Sequence, residues 1–223
     1  MKKNLTELVF LLDRSGSMGG MEADTIGGYN GFLQKQKKEE GNCLVTTVLF
    51  DNYSETVHDR IDLSEIAPLT EKEYYVRGST ALLDALGSSI EHISTIHKYA
   101  RPEDCPEHTV FVITTDGMEN ASTKYTYDKV QALVKEKEVK EGWNFVFLGA
   151  NIDAVSEAKR YGISPEHAVT VFSDEAGAAA QFEAASMAVT QARACGSISP
   201  NWAQPVAEDM KKREKHHHFF HRK

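Results

Sequence analysis

Leu8-Val9-Phe10-Leu11-Leu12-Asp13-Arg14-Ser15-Gly16-Ser17 is an apolar run that stops abruptly at a carboxylate. A continuous run of this length and content predicts a strand buried on both faces, with Asp13 at its end and a loop beyond. In an open parallel sheet that rim is where ligands bind. Asp13, Ser15 and Ser17 carry side-chain oxygens at alternating positions, and the small Gly16 lets the loop fold them toward one point. Oxygen ligands of this kind suit a hard cation, Mg2+ above all, which prefers a few fixed oxygens and retained waters.

Working outward, the pattern alternates strands and helices. A helix is expected over Asp24 to Glu40, with Ile26, Tyr29, Phe32 and Leu33 on one side and three glycines, Gly27, Gly28 and Gly31, allowing close packing against the sheet. Cys43 to Phe50 reads as a second strand, and Asp51-Asn52-Tyr53-Ser54 as a turn. Thr56 to Leu63 alternates, which predicts an antiparallel edge strand. Asp62 to Arg77 is loop-like. From Thr80 to Lys98, Leu82, Leu83, Leu86, Ile90, Ile93 and Ile96 recur at helical spacing. Further strands are expected at Thr109 to Thr115, Asn144 to Leu148 and Ala168 to Phe172. Helices are expected over Lys124 to Val139, Asp153 to Tyr161 and Asp174 to Ala194, the last capped by Ser173. The reading is one α/β domain, doubly wound and mostly parallel, with helices on both faces.

Asp-x-Ser-x-Ser at the end of a first strand resembles the metal-ion-dependent adhesion site of von Willebrand factor type A domains. That family completes its site with a threonine and an aspartate from two later loops. Thr80 in Arg77-Gly78-Ser79-Thr80-Ala81-Leu82-Leu83-Asp84 and Asp116 in Val110-Phe111-Val112-Ile113-Thr114-Thr115-Asp116-Gly117 match those positions in order. The resemblance covers roughly residues 5 to 195 and implies a Rossmann-like six-stranded sheet in the order 3-2-1-4-5-6 with one antiparallel edge strand; periodicity alone does not set strand order. It also implies a metal set of Asp13, Ser15, Ser17, Thr80 and Asp116 holding Mg2+, or Mn2+ in its place. Protein oxygens leave such an ion incompletely coordinated, so an aspartate or glutamate of a protein partner can complete it. This is binding rather than catalysis, and no enzyme activity is expected. The rim should comprise Arg14, Met18, Met21, Arg77, Met118, Glu119, Asn120 and the loop from Asn151 to Asp153, with both arginines exposed. Asp84 and Glu119 are left out of the metal set, Asp84 being favourable in the first turns of a helix for its own sake.

Two other readings use the same residues. One is a metal-dependent hydrolase or phosphotransfer enzyme acting through Asp13; Arg14-Ser15 supplies no second carboxylate for acid/base work, and neither a phosphate loop nor a nucleophile elbow is present. The other is a regulatory subunit of an ATPase complex, in which similar bacterial domains occur. Taken one at a time, the site residues also have bland explanations: turn formers, loop polars, and Thr80 as a helix cap. The histidines His58, His92, His97, His108 and His167 are scattered over different elements and form no ligand set.

The 223 residues with 41% hydrophobic content are enough for one sizeable core. Three cysteines, Cys43, Cys105 and Cys195, without Cys-x-x-Cys spacing indicate neither a disulfide framework nor a zinc site. With no signal-peptide pattern and no stretch of membrane-spanning length, a soluble cytoplasmic protein is expected. The formal charge of −8 is uneven. Residues 211–223 hold six of the 25 basic residues and one of the 33 acidic ones, leaving 19 against 32, a net of −13, on residues 1–210. So acidic a body argues against nucleic-acid binding by the folded domain. The domain is placed at 1–196. Residues 197–223 are read as a connector, on which Trp202 can pack against the domain, and a basic, histidine-rich tail expected to be solvated.

Overall fold

Strand β1 (Lys2–Asp13) occupies the centre of the sheet because it is apolar on both faces. Leu8, Phe10 and Leu12 enter one core, Val9 and Leu11 the other, and all five are fully buried. The structure, a computed structural model, describes residues 2–220, with side chains described from 3 to 215. The other strands are β2 (Asn42–Phe50), β3 (Ser54–Asp62), β4 (Pro106–Thr115), β5 (Asn144–Ala150) and β6 (Ala168–Val171). Their order is β3-β2-β1-β4-β5-β6, with every neighbouring pair parallel except β2 and β3. The six-stranded, doubly wound arrangement expected from the sequence is therefore the one observed.

Six α-helices are found among the described residues: α1 (Glu22–Gln36), α2 (Leu82–Tyr99), α3 (Tyr127–Glu141), α4 (Ala154–Tyr161), α5 (Glu175–Cys195) and α6 (Gln204–Phe220). α1 and α5 cover the Leu8/Phe10/Leu12 face, and α2, α3 and α4 cover the other. Each fully buried Phe or Leu contributes about 1.5–3 kcal/mol, so a central strand buried on both faces is a strong determinant of the fold. No helix among the described residues is long and apolar enough to cross a membrane.

Several local expectations change. Asp174, not Ser173, caps α5, accepting from the Gly177 N–H at 2.8 Å. Of the three glycines of α1, Gly28 alone makes a close approach, and it does so to α5 rather than to the sheet: a Cβ there would overlap the Phe182 ring, whereas Gly27 and Gly31 face open space. The largest change is at the carboxyl end. Residues read as a connector and solvated tail form a 3-10 turn, Pro200–Ala203, and then α6. Trp202 is 1% exposed and donates its indole N–H to the Glu166 carbonyl at 2.8 Å. Val206 is buried beside it and Met210 packs against the same core. Arg213 then grips Asp174 with two hydrogen bonds of 2.6 and 2.7 Å and lies over the Phe172 ring. Packed structure thus continues past residue 196; residues 221–223 of the expected tail lie outside the described residues.

Candidate metal centre

The order of strands brings the carboxyl ends of β1 and β4 side by side, with Leu12 opposite Thr114. Asp13 and Asp116 leave the sheet from these adjacent ends. A short 3-10 turn, Gly16–Met18, reverses the loop after β1. The Ser15 N–H donates to Asp13 Oδ1 at 2.7 Å, which closes the loop on its own carboxylate. A third segment is tied in by backbone bonds, Arg77 N–H to the Arg14 carbonyl at 2.8 Å and Gly16 N–H to the Gly78 carbonyl at 3.0 Å. It carries Thr80, whose own N–H and carbonyl are both held by Asn120, the former through Asn120 Oδ1 at 3.0 Å.

All five expected residues meet. The Thr80 hydroxyl donates to Ser15 Oγ at 3.0 Å, and Ser15 Oγ and Ser17 Oγ are 3.0 Å apart. Gly117 closes the group: a Cβ on it would lie 2.7 Å from Thr80 Oγ1, 3.1 Å from Ser17 Oγ and 3.7 Å from Ser15 Oγ. Three hydroxyls therefore converge beside Gly117, and any side chain at 117 would press into them. Asp116 adjoins it, with Ser17 hydrogen-bonded to the carboxylate while Oδ1 is buried without a partner. A buried carboxylate oxygen left unpaired carries a desolvation penalty of about 1–3 kcal/mol or more, which a cation would relieve. Two carboxylates and three hydroxyls in one cradle fit a hard divalent ion. Thr80 is not the cap of α2, since Ala81 holds that position.

The electrostatics point the same way. Burial pushes the Asp13 carboxyl from 3.8 up to about 6, against the lowering hydrogen bonds from Thr115 and Ser15. Burial raises Asp116 as well, opposed by Ser17. For Asp13 the folded-state value exceeds the ordinary one, so without a cation its contribution to stability is greatest below pH 3.8 and is lost as pH rises through about 6. A cation reverses this preference because it needs the ionised form. Metal affinity is therefore expected to be flat above about pH 7 and to fall about tenfold per unit below about pH 6. Titration of Mn2+ binding from pH 8 to pH 5 measures this, and a pH-independent affinity would contradict it.

The rim differs from expectation at Arg14. Arg14 is 0% exposed: Nε donates to Asp51 Oδ2 at 2.8 Å, Nη2 to Glu55 Oε2 at 2.7 Å and Nη1 to the Glu73 carbonyl at 3.4 Å. Its charge turns inward because Asp51 and Glu55, on the β2–β3 hairpin, lie beneath the loop. Arg77 is exposed, as expected, and is paired to Asp51 at 2.7 Å. Met118 stands exposed, with Met18 and Met21 half-buried. Asp153 of the expected rim loop caps α4, accepting from Ser156.

Glu119 and Asp84 are each engaged by backbone N–H groups. Glu119 accepts from the N–H groups of Leu83, Ala121 and Ser122, at 2.8, 3.0 and 2.8 Å. Asp84 accepts from those of Thr123, Lys124 and Tyr125, each at 2.9 Å. Together they bind the loop after Asp116 to the start of α2. Three further residues escaped the sequence reading. The Tyr74 hydroxyl donates to the Asp13 carbonyl at 2.6 Å, Thr115 donates to Asp13 Oδ2 at 2.5 Å, and Asp51 anchors both arginines. No sequence signal marked them.

No family model and no curated protein sequence matches the chain. Solved structures do. Proximal thread matrix protein 1 from the mussel byssus is 16% identical with a TM-score of 0.57, over 85% of this chain and 46% of that one. The manganese-loaded TRAP protein of Plasmodium vivax is 15% identical with a TM-score of 0.54, over 80% and 73%. A von Willebrand factor type A protein from Catenulispora acidiphila is 13% identical with a TM-score of 0.55, over 85% and 43%. The chain spans less than half the length of the mussel and Catenulispora proteins. The fold is the von Willebrand factor type A fold.

Proposed function

We propose that this chain is a metal-dependent protein-binding module in which Asp13, Ser15, Ser17, Thr80 and Asp116 hold Mg2+ or Mn2+. The observation that carries this reading is the cradle itself: three hydroxyls converging where only a glycine fits at 117, beside a buried Asp116 oxygen with no partner. One solved relative in fold is manganese-loaded, and the mussel protein has also been solved with a zinc-occupied site of this kind, which supports a divalent ion in general. Bound there, such an ion supplies a positive centre able to accept a further oxygen. The protein's own part is to hold two carboxylates and three hydroxyls in place, with the carboxylates offsetting the ion's charge.

A partner's aspartate or glutamate matches that chemistry, because both rim arginines are already neutralised by Asp51 and Glu55 and do not compete for it. Asp13 has both oxygens engaged, by the Ser15 N–H and the Thr115 hydroxyl, which favours a fixed binding group over a nucleophile.

Two measurements test the reading. Millimolar Mn2+ or Mg2+ at about 100 times its dissociation constant should stabilise the wild type by about 2.7 kcal/mol, or roughly 5–10 °C, and leave Asp116→Ala unshifted. Selection from a displayed random-peptide library in Mn2+, eluted with chelator, should then yield peptides sharing an Asp or Glu. Metal stabilisation that persists in Asp116→Ala would displace the site; a selected pool without acidic residues would displace the partner chemistry.

A further inference from the structure

We propose that Thr115 is a positioning residue of this site, its hydroxyl coupling the two carboxylate-bearing loops and thereby setting the affinity for the cation. The inference rests on the metal reading above and adds to it a residue outside the five oxygen-bearing positions. Thr115 ends β4 and is buried. Its Oγ1 lies 2.5 Å from Asp13 Oδ2, and the Gly117 N–H donates to the same Oγ1 at 3.1 Å. The Gly117 carbonyl is also 3.1 Å away.

A hydroxyl has one proton and two lone pairs. The much shorter distance, within the range of hydroxyl-to-carboxylate bonds, places the proton on the Asp13 side and leaves a lone pair for Gly117. One side chain therefore joins the carboxylate of the first loop to the backbone of the turn that carries Asp116.

Two consequences follow for the cradle. Asp13 Oδ1 is held by the Ser15 N–H and Oδ2 by Thr115, so donors on opposite oxygens stop the carboxylate from rotating. Gly117, whose approach bounds the space among Ser15, Ser17 and Thr80, is held at its N–H by the same Oγ1. Removing the hydroxyl frees Asp13 to turn and releases the Gly117 wall at the same time. Thr115 Oγ1 spends its proton on Asp13 and a lone pair on the Gly117 N–H, so it acts on the site by orienting both. Neighbouring Thr114 points its hydroxyl instead to the Leu11 carbonyl at 3.4 Å, so the role belongs to one of two adjacent threonines.

The test compares Mn2+ affinity, by isothermal titration at neutral pH, in the wild type, Thr115→Val and Thr115→Ser, with melts in chelator to confirm folding. Valine keeps the shape and removes the hydroxyl; serine keeps the hydroxyl and removes the methyl. Loss of an orienting group of this kind weakens metal binding about 10- to 100-fold. The expected result is at least a tenfold loss in Thr115→Val and restoration to within about threefold of wild type in Thr115→Ser. A loss smaller than tenfold in the valine variant, or an equal loss in the serine variant, would overturn the proposal. Thr115→Ala serves in place of valine if the latter does not fold. Absence of Mn2+ binding in the wild type would instead remove the metal reading, an outcome separable from the failure of Thr115.

Discussion

Gly117→Ala is expected to lose metal binding by at least about 100-fold while remaining folded, a difference of about 2.8 kcal/mol at roughly 1.4 kcal/mol per tenfold. The added methyl would sit 2.7 Å from Thr80 Oγ1, closer than real Cβ atoms come to a neighbour, and 3.1 Å from Ser17 Oγ, tighter than nine in ten such contacts. Relief requires one of them to move. Thr80 resists, because its N–H and carbonyl are fixed by Asn120, it is 2% exposed, and a β-branched side chain has little rotamer freedom. Ser17 is exposed and yields more readily, but moving its hydroxyl takes it from Ser15 Oγ and from Asp116. Either way the methyl occupies the space the ion needs. The strain should lower the melt in chelator by about 1–3 kcal/mol, as overpacking does. The metal-dependent increment should disappear. A Gly117→Ala protein that still gains stability in Mn2+ would show that the ion does not lie among these hydroxyls.

Much of this site was legible in the sequence because its residues follow directly on strands. Asp13 and Asp116 each end a continuous apolar run, and such runs are the clearest signal a buried parallel strand can give. Strand order was not legible from periodicity and came from the resemblance. The fate of Arg14 was invisible for a different reason. A lone arginine in a serine-rich loop looks exposed, and only Asp51 and Glu55, 37 and 41 positions away, draw it inside. Thr115 was hidden by its setting, since a threonine ending a strand needs no explanation beyond its β-propensity. At the carboxyl end the packing of Trp202 is as expected, but the helix Gln204–Phe220 stands where a connector and solvated tail were expected, despite an available signal. Trp202, Val206 and Met210 recur every four residues, the spacing of one helical face, and all three pack on the core. The basic and histidine-rich composition around them outweighed that pattern, although Arg213 uses its charge to grip Asp174.

Asp51→Ala is expected to destabilise the metal-free protein by about 3–5 kcal/mol, and Arg14→Met by clearly less. The asymmetry follows from what each change leaves behind. Without the Asp51 carboxylate, a fully buried guanidinium retains Glu55, itself half exposed, the Glu73 carbonyl and the face of the Tyr75 ring. The Tyr53 N–H loses its acceptor and Arg77 its ion-pair partner at 2.7 Å. Without Arg14, by contrast, Asp51 keeps Arg77 and Tyr53, Glu55 turns to water, and a methionine fills most of the arginine's volume. A loss of 3–5 kcal/mol is a large part of the 5–15 kcal/mol typical of a domain. Acid should act at the same point. Burial pushes the Asp51 carboxyl up, but hydrogen bonds from Arg77, the Tyr53 N–H and Arg14 outweigh it and hold the group below 3.8. Its stabilisation is therefore present above pH 3.8 and lost as pH falls through the lower folded-state value. Urea unfolding in chelator ranks the two variants, and a larger loss for Arg14→Met would refute the account. The same residues reach the metal centre through the backbone, for the Asp51 carbonyl accepts from the Ala81 N–H at 2.8 Å and the Arg14 carbonyl from the Arg77 N–H at 2.8 Å. Both bonds flank Thr80. A stability defect at Asp51 should therefore be accompanied by weaker Mn2+ binding in the fraction that remains folded, because the segment that carries Thr80 is no longer held against the loop of Ser15 and Ser17.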